Sequence, residues 1–491
     1  MMKKQIMAAL LAASSLCLTN SPVLAYPSIF PDSGYSWVGD TMPFFDGEEF
    51  RIFYLEDLRD GDTGFHPWSL LTTKDFTDYQ HDSKVIPYDT SNEFAKDSAL
   101  GTGSVVKGKD GLYHAFYTGF NWRSMPKETI MHAISRDLVS WQKVPEDSFH
   151  GSKPYIYDDT FRDPNVFYNE DYGEYWMLIT TRSKKARGVI ALYTSKDLKH
   201  WEDQGIFFEN DMGSDANMEC PTLLKYGDYW YLTFSDQWPS RVVHYRMAKD
   251  SKGPFVKPER DYFDASGFYA GKMVEDKDNL YLVGWTPTKA GGKDKNPTDW
   301  AGNLVAHQLK QREDGTLYPV PVEKMTERVQ KPVEMAPITE RGTVNGAGES
   351  YHFDGTGYAD VVMPKMEGIR KITGHFKVAK QQGQFGLMFN VGPNQTGSLN
   401  LVFDPAKQQV AFYNTDTSRV HAAKPELAVP VSLQPDESYD FTLLIDGTVA
   451  VLYINDQMAL STRMYDLPEH QWGIFSAGSE VTLTGLQTSK L

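Results

Sequence analysis

The residues in this chain whose types and spacing suit chemistry are three carboxylates. Asp40 stands nine positions before the strand-like run EFRIFY at 49–54, and Glu219 nine before DYWYLT at 228–233. Asp163 stands eleven before EYWMLI at 174–179, the extra two residues reading as an insertion within 169–172. Cleaving a glycosidic bond needs two such groups. One carries a proton to the leaving oxygen, and the other attacks, or supports attack at, the anomeric carbon. A third can hold sugar hydroxyls through charge-assisted hydrogen bonds. Like charges brought close together also favour a protonated acid by raising its pKa. Other chemistries lack their residues: the sequence has no HExxH or CxxC, no GxxxxGK[ST] loop and no GxSxG elbow. No metal or organic cofactor is expected.

The elements that must position these acids come from a repeat. The runs EFRIFY, LYHAFY at 112–117, EYWMLI, DYWYLT and NLYLVG at 279–284 start 63, 62, 54 and 51 residues apart, each after a turn signal. A second marker travels with them. KDFTDY begins at Lys74, RDLVSW at Arg136 and KDLKHW at Lys196, 62 and 60 residues apart. Periods of this length, filled with short strands and without a long helical pattern, describe propeller blades. Five units predict five blades, with the segment before each run as the innermost strand and the acids converging at one end of the axis. The second unit has Gly103 at the matching count and no acid. After Tyr318 the pattern changes. FGLMFN at 385–390, FTLLID at 441–446 and VAVLYI at 449–454 predict a terminal β-sandwich, with Asp446-Gly447 as a hairpin turn.

The expected organisation is therefore all-β: a signal peptide at 1–25, a five-bladed β-propeller at 26–325, a linker at 326–345 and a β-sandwich at 346–491. Lys3 and Lys4, the apolar stretch at 6–18, and Val23-Leu24-Ala25 form an export signal too short to span a bilayer. A secreted or periplasmic protein is expected, with no membrane insertion of the mature chain. Only Cys17 and Cys220 are present, so the mature chain has no intrachain disulfide and depends on packing. The formal charge of −16 disfavours nucleic acid as a partner.

On these motifs the sequence resembles glycoside hydrolase family 32, the invertase, levanase and inulinase group. Arg162-Asp163-Pro164 and Glu219-Cys220-Pro221, 56 residues apart, are similar to the family's RDP and ECP motifs. Trp37-Val38-Gly39-Asp40-Thr41-Met42-Pro43 corresponds to its WMNDPNG, with Gly39 where the family has Asn. Phe268-Tyr269-Ala270, Gly284-Trp285 and Trp300-Ala301-Gly302 resemble further segments, although His307-Gln308 replaces the family's Pro-Arg after the last. The resemblance implies a propeller joined to a sandwich, and a retaining hydrolase of β-fructofuranosyl linkages in sucrose-type oligosaccharides or fructans. It implies Asp40 as nucleophile, Glu219 as acid/base and Asp163 as transition-state stabiliser. Arg162, Trp68, Ser104 and Trp285 are the expected substrate contacts. The partner implied is a fructose-containing oligo- or polysaccharide. The alternatives are a fructosyltransferase or difructose-anhydride enzyme, another furanosidase such as an arabinofuranosidase, and a non-catalytic carbohydrate-binding protein.

Overall fold

Blades in a propeller press on neighbours on both sides, so their middle strands are buried on both faces. Gly188–Ser195 is buried at all eight positions, and Trp68–Thr73 at all six. The computed structural model describes residues 26–34, 36–59, 66–151, 160–185, 187–237, 240–467 and 470–491. The expected signal peptide lies outside them. Antiparallel sheets form five blades around a channel. Blade I contains Trp37–Phe45, Phe50–Asp57, Trp68–Thr73 and Asp78–Ile86. Blade II contains Ala99–Lys107, Tyr113–Phe120, Glu128–Ser135 and Trp141–Lys143. Blade III contains Phe161–Asn169, Glu174–Arg182, Gly188–Ser195 and Glu202–Glu209. Blade IV contains Met218–Tyr226, Tyr229–Asp236 and Val243–Ala248, extended by bridges to Val256 and Tyr262. Blade V contains Tyr269–Glu275, Leu280–Lys289, Thr298–Gln311 and Leu317–Val320, and one bridge, Val38↔Gly302, ties it to blade I.

The second repeated marker is the turn between the third and fourth strands. In each copy the acid accepts backbone N–H groups ahead of it: Asp75 from Thr77, Asp137 from Val139 and Ser140, Asp197 from Lys199 and His200. The next residue (Phe76, Leu138 or Leu198) has φ near +60°. That short side-chain-to-backbone network explains why an acid recurs there.

The stretch expected as a linker at 326–345 is part of the folded structure. The helix Glu323–Arg328 leads into Lys331–Val333, which pairs with Glu480–Lys490, and Thr339–Arg341 pairs with Tyr358–Met363. Prolines and weak alternation marked it as irregular, but short edge strands carry little periodicity. Beyond it, sheets of eight and seven strands enclose a core of Phe376, Phe385, Phe403, Leu443 and Ile474.

Candidate active site

All five innermost strands break register with their neighbours at one height. The unpaired residues are 40–41, 101–102, 163–164, 220–221 and 270–271. These bulges re-aim side chains into the channel. Pairing puts Asp40, Gly101, Asp163, Cys220 and Ala270 in one tier. Gly39, Leu100, Arg162, Glu219 and Tyr269 form the tier preceding it. Glu219 is thus one position before the register that Asp40 and Asp163 share, and Gly101, not Gly103, is the second-blade equivalent. Counting back from the runs missed this because the hairpins between the first two strands differ in length.

The lower tier lies at the base of the cavity. Asp163 is 4% exposed and adopts φ 57°, and its Oδ2 accepts the Cys220 N–H at 3.0 Å. Burial pushes its pKa up to about 6; Arg162 opposes the rise, whereas Glu219 and Asp40 add to it. Asp40 accepts Thr102 Oγ1–H at 2.9 Å and Trp285 Nε1–H at 3.2 Å. Burial, then the charge of Glu219, raises it above the usual carboxylate range. In the upper tier, Glu219 Oε1 accepts Arg162 Nη2 at 2.8 Å and Gln237 Nε2 at 2.7 Å. Its Oε2 lies 2.6 Å from the Tyr269 hydroxyl, which is also 3.1 Å from the Asp236 carbonyl. Glu128, whose Oε1 lies 3.3 Å from Arg162 Nη1, completes the guanidinium's anchorage. Asp40, Arg162, Asp163, Glu128 and Glu219 line a cavity of about 250 Å³, with His66 and Trp300 on the facing wall.

The residues singled out in the sequence separate here. Asp40, Asp163, Glu219 and Arg162 share the cavity. Trp285 is fully buried and meets Asp40 through its indole N–H, so it is a positioning group and offers no sugar platform. Trp68 is also fully buried, packed against Phe53 and Tyr117 and bonded to the Gly101 carbonyl. Ser104 ties blade II to blade III through Pro164 O and Val166 N. Trp68 and Ser104 are thus corrected to packing residues. Glu128, Gln237 and Thr102 were missed. Thr102 occupies the bulge of the acid-free blade, a position the right register would have found; no repeated signal marks the other two.

Residues 36–321 match the Glycosyl hydrolases family 32 N-terminal domain. The chain belongs to this family. Residues 315–488 match the GH32, BT1760-like, C-terminal domain, so the family assignment spans propeller and sandwich. Raffinose invertase of Escherichia coli is 23% identical over 348 residues, covering 65% of this chain and 69% of that protein. Sucrose-6-phosphate hydrolase of Pediococcus pentosaceus is 24% identical over 488 residues, covering 93% and 88%. The structure of sucrose-6-phosphate hydrolase from Lactobacillus gasseri superposes with a TM-score of 0.71 at 19% identity over 96% of this chain and 94% of that one. This family 32 fold is the five-bladed propeller with a C-terminal sandwich.

Proposed function

We propose that this protein is a retaining β-fructofuranosidase acting on sucrose-type oligosaccharides or fructans. The observation carrying the reading is the two-tier carboxylate arrangement in a cavity of about 250 Å³. That volume is below the range that holds drug-sized ligands, and suits one sugar ring. Asp40, held by Thr102 and Trp285, attacks the anomeric carbon of a fructofuranosyl unit, while the neighbouring Asp163 carboxylate stabilises the positive charge that develops on the ring. Glu219 protonates the departing oxygen. Its Oε1 is occupied by two N–H donors, so the transferable proton sits on Oε2. The Tyr269 hydroxyl donates to Oε2 at 2.6 Å once that proton has left, and has the Asp236 carbonyl at 3.1 Å as its alternative acceptor while Oε2 carries the proton. Water then attacks the fructosyl-enzyme, with Glu219 as base. The relatives named as an invertase and sucrose-6-phosphate hydrolases support a fructoside substrate. The signal-like residues 1–25 support export to the periplasm or beyond, and N-terminal sequencing of the mature protein should begin at Tyr26.

The deciding experiment is timed product analysis on sucrose, levan, inulin and an arabinofuranoside, repeated with Asp40→Asn and Glu219→Ala. Asp40→Asn should be folded and inactive on every fructoside. Glu219→Ala should keep far more first-step rate on an activated aryl fructoside than on sucrose, with azide accelerating turnover. Near-normal sucrose turnover by both variants removes these acids from the chemical centre. Cleavage of the arabinofuranoside alone replaces the substrate.

A further inference from the structure

The channel holds a second cavity beyond the carboxylates, of about 620 Å³. The innermost strands show where the two are divided. The upper cavity takes Asp40, Thr102, Asp163 and Cys220, whereas the lower one begins at Pro43, Val105, Asn165 and Thr222 on the same strands. On blade V, Lys272 lies just before Met273, which lines the lower cavity. Its side chain leaves blade V, passes blade I and donates from Nζ to the Gly103 carbonyl of blade II at 2.8 Å. Gly103 itself lies between Thr102 above and Val105 below. Lys272 is 2% exposed. Lys272 therefore spans the channel between the two cavities, behind the tier that Thr102, Asp163 and Cys220 present to the upper one.

A buried ammonium is costly unless something compensates it. One carbonyl satisfies one of its three N–H donors. The nearest titratable groups acting on it electrostatically are the Cys220 thiol, Asp163 and Asp40, none of them in direct contact with its ammonium. Burial lowers its pKa, and these groups oppose the fall. Above the acids, Arg162 is engaged by Glu128 and Glu219, and Arg241 lies over the Tyr269 ring at 4.7 Å. Both guanidinium groups come from the upper side, Arg162 reaching down to 3.9 Å from Asp163 Oδ2, and Lys272 approaches from beneath.

We propose that Lys272 is a positioning residue for catalysis: its ammonium, fixed across the channel beneath the acids, adds to the charge of Arg162, whose Nε lies 3.9 Å from Asp163 Oδ2, in keeping Asp40 and Asp163 ionised under the sugar. Its catalytic consequence rests on the fructofuranosidase reading; the charge relation itself does not. Lys272→Gln retains a donor for the Gly103 carbonyl and removes the charge, whereas Lys272→Arg retains the charge. Carboxyl protonation is followed by infrared difference titration of the sugar-free protein, and kcat/KM on sucrose or levan is followed against pH. Lys272→Gln should move both the carboxyl titration and the acid limb of kcat/KM to higher pH by about one unit, a tenfold loss on that limb. The plateau at high pH should change less, and Lys272→Arg should keep the wild-type limb. A Gln variant that is folded with an unmoved infrared titration overturns the proposal. Should it not fold, an acid limb displaced in Lys272→Arg does the same. If the wild type cleaves no fructofuranoside, the functional reading fails while the infrared titration still decides on Lys272.

Discussion

Asp163 sets activity and stability in opposition. Its carboxyl is pushed up to about 6 from an ordinary value near 3.8, so the folded protein binds that proton more tightly than the unfolded chain does. Ionising it costs folding free energy between about pH 4 and pH 6, roughly 3 kcal/mol once complete. The ionised form is the one that stabilises a cationic transition state. Activity should therefore fall about tenfold per pH unit below pH 6, where this group contributes most to stability. Asp163→Asn should raise Tm at pH 7, leave it nearly unchanged at pH 4, and reduce kcat at least a hundredfold. An equal Tm change at both pH values would reject the argument. Gly39 carries a second prediction. A Cβ built there would lie 2.3 Å from Trp300 Cη2, and the Trp300 ring packs tilted against His66 with centroids 4.4 Å apart. The indole fills the room that the family's Asn side chain would need. Gly39→Asn should cost about 1–3 kcal/mol by overpacking, and Trp300→Ala should recover much of it in a double-mutant cycle. Additive effects would show that the two do not compete for space. The sequence marked Gly39 as a departure and Trp300 as a match, but their contact joins blades I and V and has no trace in local spacing.

Element boundaries followed the patterns that each element needs for its own packing. The five aromatic runs were legible because strands buried on both faces leave an apolar string, and the acids were legible because a repeat allows equivalent positions to be compared. Height along the channel was not, since hairpin length varies among blades and shifts a count by one or two residues. The Asp446-Gly447 hairpin shows the same division. It forms as expected, with Asp446 paired to Val449 and Gly447 at φ 56°. Its acid is more than a turn former. Asp446 Oδ2 accepts Ser28 Oγ–H at 2.6 Å, Ile29 N–H at 2.9 Å and Phe30 N–H at 3.2 Å, partners more than 400 residues away. This one carboxylate fixes the segment that feeds the first blade. Asp446→Ala should leave two buried N–H groups unsatisfied and cost about 2 kcal/mol. Faster amide exchange at Ile29 and Phe30, with kcat nearly unchanged, is the expected signature. Wild-type protection at both amides in the variant would show that the strap is held elsewhere.

Propeller and sandwich share one core at the scale of the whole molecule. A single apolar cluster runs from Leu282, Val305 and Leu309 of blade V to Leu444, Val451 and Tyr453 of the sandwich. Buried polar contacts cross the same boundary. Asp264, 2% exposed, accepts the Ser461 hydroxyl at 2.5 Å and the Ser461 N–H at 2.9 Å. His307, the departure from the family's Pro-Arg, lies 3.3 Å from Asp264 and 2.9 Å from the Tyr453 hydroxyl. Arg463 reaches from the sandwich to the Thr286 and Pro287 carbonyls at 3.0 Å each and to Asn303 at 2.7 Å. Burial pulls its guanidinium down to about 10. These carbonyls sit at the end of the strand that carries Trp285, the partner of Asp40, so the sandwich supports the pocket through one blade and, among the described residues, lends it no carboxylate. Two units joined this way should unfold as one. Calorimetry should give a single transition for the full chain, and a propeller fragment ending at residue 322 should not fold, because it exposes that shared core. Arg463→Met should remove the donors of two buried carbonyls and an amide, lowering stability by about 3 kcal/mol while the transition stays single. If the variant instead melts in two steps, with the propeller surviving loss of the sandwich, then the boundary is a docking surface between independent domains and the pocket does not depend on it.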